Sequence, residues 1–271
     1  MTLKHLLVAL LLVAALGLAG IFYTSSSSSS GETSSPRETA QTSTTETKVD
    51  PKTEAPGILK GVVKFDGEPP EPKFTTVPPA MECPATVVDE SLVIDKESKG
   101  LKWTIIRIMG VQPKDVFRKT TKRYQITQKG CAFSPHVVIV PPDTDLQILN
   151  PDKILHNVQT TPYDSKNLIA NFATIKDETY KAEWLKEPEL IEVKCDIHVW
   201  MKCFIVCHDP RYCAVSRADG TFEIKNLPAG KFKVNVWHES FGNYMQKETI
   251  DVEVKAGATT DMGELKFAPK K

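Results

Sequence analysis

The stretch "SRADGTFEIKNLPAGKFKVNVWHESFGNY", residues 216 to 244, decides the reading of the fold. Phe232, Val234 and Val236 alternate with Lys231, Lys233 and Asn235. That period of two puts apolar side chains on one face of a strand and polar ones on the other. Asp219-Gly220 and Pro228-Ala229-Gly230 mark tight turns, so the stretch reads as hairpin-forming β-structure.

Outward from it the same texture continues. "GILKGVVKF", "LKWTIIRIM", "PHVVIV", "DLQILN", "ELIEVKC", "CFIVC" and "TIDVEVKAG" are short β-type runs separated by proline, glycine, asparagine and aspartate. Only "TIKDETYKAEWLKEP", residues 174 to 188, has room for a helical turn. An all-β sandwich or barrel is expected. The glycine-punctuated hairpin sequences at the start and end of the folded region flank the part that holds most histidines and cysteines, which suggests one module inserted into another.

Lysine plus arginine and aspartate plus glutamate number 34 each. Such a balance gives no reason to expect nucleic acid or an anionic surface as a partner. The run from Leu6 to Tyr23 is unbroken in its apolar character and follows Lys4. It reads as an export signal or an uncleaved membrane anchor over residues 1–23, the only membrane contact expected. Residues 24–56, rich in serine and threonine, lack the apolar side chains to offset the entropy of ordering and read as a tether. The chain is therefore expected to be exported, on the periplasmic or extracytoplasmic side of a membrane.

Six cysteines in an exported chain suggest disulfides. Cys203 and Cys207, four apart on one face of a strand, would be about 13 Å apart and cannot bridge. Cys207 with Cys213, and Cys83 with Cys131, are the pairings to test.

"CDIHVWMKCFIVC", residues 195 to 207, opens with three soft-metal ligands at spacing C-x2-H-x2-M: Cys195, His198 and Met201. A copper ion cycling between Cu(I) and Cu(II) suits one thiolate, two imidazoles and a weak thioether. The second imidazole must come from another strand. In "NPDKILHNVQT", residues 150 to 160, His156 follows a turn and begins a β run, and Asn157 beside it could tie the two loops together. Trp200, between two ligands, is expected to pack over the site. The alternative for the triplet is a buried strand with a free thiol and a core methionine.

With those residues in view, the chain resembles the small blue copper proteins, the cupredoxins, and its C-x2-H-x2-M spacing is similar to that of amicyanin. The resemblance implies one type 1 copper held by His156, Cys195, His198 and Met201, Asn157 as a supporting asparagine, and His198 as the ligand nearest the surface. "QKGCAFSPH", "LHNV", "CDIHVWM" and "DGTFEIKNLPAGKFKVNVWHE" together resemble an exported bacterial group described as methylamine-utilization-like. The flanks resemble the carboxypeptidase regulatory-like module, a transthyretin-type or immunoglobulin-type sandwich. On that resemblance residues 57–75 and 211–271 form the regulatory-like sandwich and residues 76–210 the inserted copper domain.

His136 and His238 read as structural histidines; the sharper alternatives make His136 the first ligand, or gather His136, His208 and His238 with Glu239 into a zinc-like site. No nucleophile elbow, P-loop or His-Glu-x-x-His pattern is present, and four protein ligands leave a metal no open position, so catalysis is not expected. Electron transfer with a cytochrome or dehydrogenase partner is the function expected. The rivals are a binding or scaffold sandwich with an absent or structural metal, and an accessory redox subunit of a dehydrogenase.

Overall fold

Alternation along the strands produces two stacked sandwiches. The computed structural model describes residues 55–110 and 123–269, so the apolar run and all but the end of the serine- and threonine-rich tether lie outside the described residues. Among the described residues no helix is long and apolar enough to cross a membrane. The helical pieces among the described residues are three short 3₁₀ turns, at Pro79–Met81, Pro210–Tyr212 and Tyr244–Gln246. The all-β class stands.

In the first sandwich β1 (Gly57–Phe65) runs between β15 (Thr221–Leu227), antiparallel to it, and β19 (Thr259–Phe267), parallel to it. The facing sheet has the order β14 (Cys213–Val215), β4 (Ile105–Met109), β16 (Gly230–His238) and β17 (Gly242–Asn243), with β18 (Ile250–Val254) also paired to β16. Val234 and Val236 of β16 enter its core with Leu59, Val63, Ile106, Ile108 and Phe222, and Phe232 packs against them. Strand β4 lies within the 76–210 span expected for the inserted part, yet its hydrogen-bonded neighbours are β14 and β16.

The second sandwich sets a five-stranded sheet against a four-stranded one. The former has the order β10 (Asn171–Thr174), β9 (His156–Pro162), β12 (Glu189–Lys194), β13 (Lys202–Cys207) and β7 (Val137–Val140). The latter has β11 (Thr179–Ala182), β8 (Leu146–Leu149), β5 (Tyr124–Gln128) and β6 (Phe133–Ser134). A separate hairpin joins β2 (Phe74–Thr76) to β3 (Thr86–Val88). Where a helical turn had room, β11 forms instead: its threonine and tyrosine favour a pleated surface, and Tyr180 packs on Phe172 with ring centroids 5.3 Å apart.

Strand β13 explains why "KCFIVC" is apolar without interruption. Cys203, Ile205 and Cys207 face the core of the second sandwich, whereas Phe204 and Val206 join Ile105, Leu190, Cys213 and Trp237 in a third cluster between the two sandwiches. A strand covered on both faces loses its polar alternation. The same geometry corrects one disulfide expectation: Cys207 and Cys213 sit in different cores, and both thiols are free. Burial pushes the Cys213 thiol up to about 12 and the Cys203 thiol well above its usual range, so they behave as inert packing groups. Cys83 and Cys131, by contrast, are joined.

Candidate metal centre

Three of the four expected ligands come from the connection between β12 and β13, which closes where Lys194 pairs with Lys202. Strand β9 is the antiparallel neighbour of β12, with Lys194 opposite Gln159, so His156 at the start of β9 arrives at the same end of the sheet. The turn is held by its own backbone: Met201 N–H donates to the His198 carbonyl at 2.8 Å, and Cys195 N–H donates to the Met201 carbonyl at 3.2 Å. Met201 is buried.

The donor atoms of His156, Cys195 and His198 all lie within 4.8 Å of one another. His156 Nδ1 and His198 Nδ1 face each other at 3.0 Å, and Cys195 Sγ is 3.7 Å from His198 Nδ1. With metal–nitrogen bonds of about 2.0 Å and a metal–sulfur bond of about 2.3 Å, these separations subtend angles near 100° and 120° respectively. An ion at His198 Nδ1 is therefore within reach of either neighbouring donor, and one thiolate with two imidazoles suits copper.

Each donor is held by further groups. Asp152 sits four residues before His156, and its Oδ2 lies 3.0 Å from His156 Nε2. The carboxylate also accepts the Gly130 and Cys131 backbone N–H groups, both at 2.9 Å. Despite burial, these bonds hold the Asp152 carboxyl below its ordinary value. A carboxylate at Nε2 favours the proton there and leaves the Nδ1 lone pair directed at the cluster.

Cys195 Sγ accepts N–H groups of Asn157 and His198, each at 3.5 Å. Burial raises the thiol, but bonds to His156 and these amides outweigh it, leaving Cys195 below its ordinary value and favouring the thiolate. His156 is raised by Cys195 and Asp152 against its desolvation. Burial and then the neighbouring His156 lower His198.

Asn157 ties the loops as the sequence suggested. Its Oδ1 accepts the Asp196 N–H at 2.6 Å, and its Nδ2 donates to Asp196 Oδ2 at 2.7 Å and Asn171 Oδ1 at 3.1 Å. Trp200 packs edge-on against His198, ring centroids 5.4 Å apart, and its Nε1 donates to the Cys131 carbonyl at 3.0 Å. His198 is only 2% exposed, so the ligand expected nearest the surface is covered; its neighbours Ile197 and Val199 reach solvent instead.

The remaining histidines do not assemble a second site among the described residues. Both ring nitrogens of His208 lie 3.1 Å from backbone carbonyls, of Asp209 and Ile108. His238 lies 3.1 Å from the Lys102 carbonyl and accepts the Ser240 N–H. His136 joins no donor cluster with Cys195; its Nε2 pairs with Glu239, whose other oxygen lies 2.6 Å from Lys202 Nζ. Glu239, just past β16 of the first sandwich, thereby meets His136 and Lys202 of the second, Lys202 lying one residue beyond Met201.

Asp152 and Asp196 are parts of the centre that the sequence reading did not single out; Cys83–Cys131 was a pairing to test, but not as a neighbour of the ligands. Asp152 carried one local signal, a carboxylate four residues before His156.

No protein-family model matches the chain, and no curated protein matches it. Solved structures similar to part of it include a purple cupredoxin from Nitrosopumilus maritimus, at 16% identity over 31% of this chain and 98% of that one, with TM-score 0.27. Amicyanin from Paracoccus versutus is 14% identical over 38% of this chain and 97% of its own, with TM-score 0.28. A copper-containing nitrite reductase from Thermus scotoductus SA-01 is 21% identical over 33% of this chain and 23% of its own, with TM-score 0.28. Such partial likenesses carry no function over to this chain.

Proposed function

We propose that this chain is an exported carrier of single electrons, in which His156, Cys195, His198 and Met201 hold one type 1 copper ion. The observation that carries the reading is the meeting of two buried imidazole Nδ1 atoms and one depressed thiol at a single point. Copper bound there would supply one-electron cycling between Cu(I) and Cu(II).

The chain's own part is to hold the donors still. His156 and two backbone amides bond the Cys195 sulfur and favour its thiolate, and Asp152 fixes the ring of His156. Asn157 locks β9 to the Cys195 turn through Asp196. Donors that cannot relax keep the reorganisation that accompanies each electron small. Four protein donors leave no open position for a substrate, which favours carriage over catalysis.

A cytochrome or dehydrogenase would dock where Ile197, Val199 and Leu155, beside the ligands, expose apolar side chains. The run Leu6–Tyr23 would direct export and, if retained, tether the carrier to the membrane.

The test is the purified full-length chain titrated with Cu(II). An intense visible thiolate-to-copper band with narrow hyperfine splitting is expected, and Cys195→Ser should abolish it. A band that survives Cys195→Ser, or a wild type that binds zinc tightly and never colours, overturns the reading.

A further inference from the structure

The Cys83–Cys131 disulfide stands directly behind the two imidazoles. Both its sulfurs and a ring nitrogen of His198 lie within 4.8 Å of one another, and the Cys131 sulfur is equally close to a ring nitrogen of His156 and an oxygen of Asp152. Cys131 is linked to the centre by backbone as well, since its N–H goes to Asp152 and its carbonyl to Trp200. A cavity of ≈ 30 Å³ is lined by Cys131, Trp200 and Met201 together.

The two sulfurs are not equivalent. Cys131 is buried, whereas Cys83 is half-buried between exposed Glu82 and Pro84. Cys83 lies in the connection of the β2–β3 hairpin, which forms a sheet of its own. That hairpin leaves Phe74 60% and Val88 54% exposed, while Val77 and Val87 anchor it to the core of the second sandwich, so the Cys83 sulfur is the one open to attack.

We propose that reduction of this disulfide creates a second soft-metal site, Cys83, Cys131 and His198, which captures Cu(I) and delivers it to Cys195 with His198 as the ligand common to both. The delivery rests on the copper reading above. Two thiolates and one imidazole match the preference of Cu(I) for soft donors. The reductant is a dithiol. Its thiolate attacks the half-exposed Cys83 sulfur, the S–S bond breaks, and Cys131 leaves with the electron pair; the second thiol then resolves the mixed disulfide. Two electrons and two protons pass to the cysteine pair and the dithiol becomes a disulfide. Cu(I) then displaces thiol protons without changing its own oxidation state. Reoxidation by a disulfide of the same class restores the S–S bond and withdraws both thiolates, which drives the ion toward Cys195.

The experiment uses the full-length chain carrying Cys195→Ala, so that the first site lacks its thiolate. Cu(I) is offered from a coloured chelator, before and after reduction with a phosphine. The reduced chain should withdraw about one Cu(I) per chain and the oxidised chain far less. Adding Cys83→Ser should return the reduced chain to the oxidised level. The reduced Cys195→Ala chain is already without its disulfide, so the comparison does not turn on the loss of that bond. The three buried thiols Cys203, Cys207 and Cys213 remain in both chains.

Equal uptake by reduced and oxidised chains, or uptake that persists in Cys83→Ser, overturns the capture site. The copper reading fails separately, if the oxidised wild-type chain develops no visible band with Cu(II); that result overturns the delivery as well.

Discussion

Asp152→Asn separates a residue that merely closes a loop from one that presents a ligand. Asp152 serves three donors with two oxygens: Gly130 N–H at Oδ1, and Cys131 N–H and His156 Nε2 at Oδ2. Asparagine keeps one oxygen and puts an NH₂ group in place of the other. If the NH₂ faces His156, donor meets donor unless His156 moves its proton from Nε2 to Nδ1, the atom facing His198 at 3.0 Å. That tautomer must be reversed before Nδ1 can bind a metal. If the NH₂ faces Gly130 instead, the ligand is spared and only a charge-assisted loop bond is lost.

Loss of such a supporting partner costs a metal site about 10–100-fold in affinity, or about 1.4–2.7 kcal/mol. The assay is a chelator competition for copper with wild type and Asp152→Asn, alongside a urea melt of both metal-free chains. Affinity is expected to fall within that range while the visible band, if retained, shifts. Unchanged affinity with a lowered urea midpoint would mean that Asp152 only anchors the Gly130–Cys131 turn, and the tautomer argument would be wrong.

Two further outcomes concern stability. His238 is buried and neutral, and desolvation lowers it to about 4 even though Glu239 and the Lys102 carbonyl act the other way. The unfolded chain then binds a proton that the folded chain refuses between pH 6.5 and 4, so this contribution is intact above pH 6.5 and falls by about 3 kcal/mol on reaching pH 4. Urea melts across that window should show His238→Gln losing less stability on acidification than wild type; parallel curves would count against the assignment. Phe204 packs edge-on to Trp237, ring centroids 5.1 Å apart, in the cluster between the sandwiches. Phe204→Ala should cost about 3–5 kcal/mol in a denaturant melt, and a loss under about 1 kcal/mol would show that this cluster adds little to the fold.

How far the chain could be read depended on the range of each interaction. Cys195, His198 and Met201 were legible because a single turn fixes them, and the spacing of a turn is written in adjacent residues. His156 was legible because strand starts are marked by turns such as "NPDK". Strand β16 announced itself by alternation, since only one of its faces is apolar over Phe232, Val234 and Val236. Strand β11 did not, because its exposed Thr179 and Lys181 depend on pairing with Leu149 and Gln147 to be a strand at all. The sheet that claims β4 was hidden for the same reason: its partners, β14 and β16, begin more than 100 residues later.

The same distinction accounts for the groups around the centre. Cys83 reaches His198 across 115 positions, and Glu239 reaches His136 across 103. Nothing local marks either approach, because a half-buried cysteine and a carboxylate at a strand end have many ordinary uses. Once the fold is formed, however, the order of control runs from these distant groups to the local ones. The disulfide holds Cys131 where its N–H meets Asp152, Asp152 holds His156, and Trp200 returns the contact from the ligand turn to the Cys131 carbonyl. A spacing motif can therefore name the atoms that would touch copper, while the orientation of those atoms is set by residues that the motif does not contain.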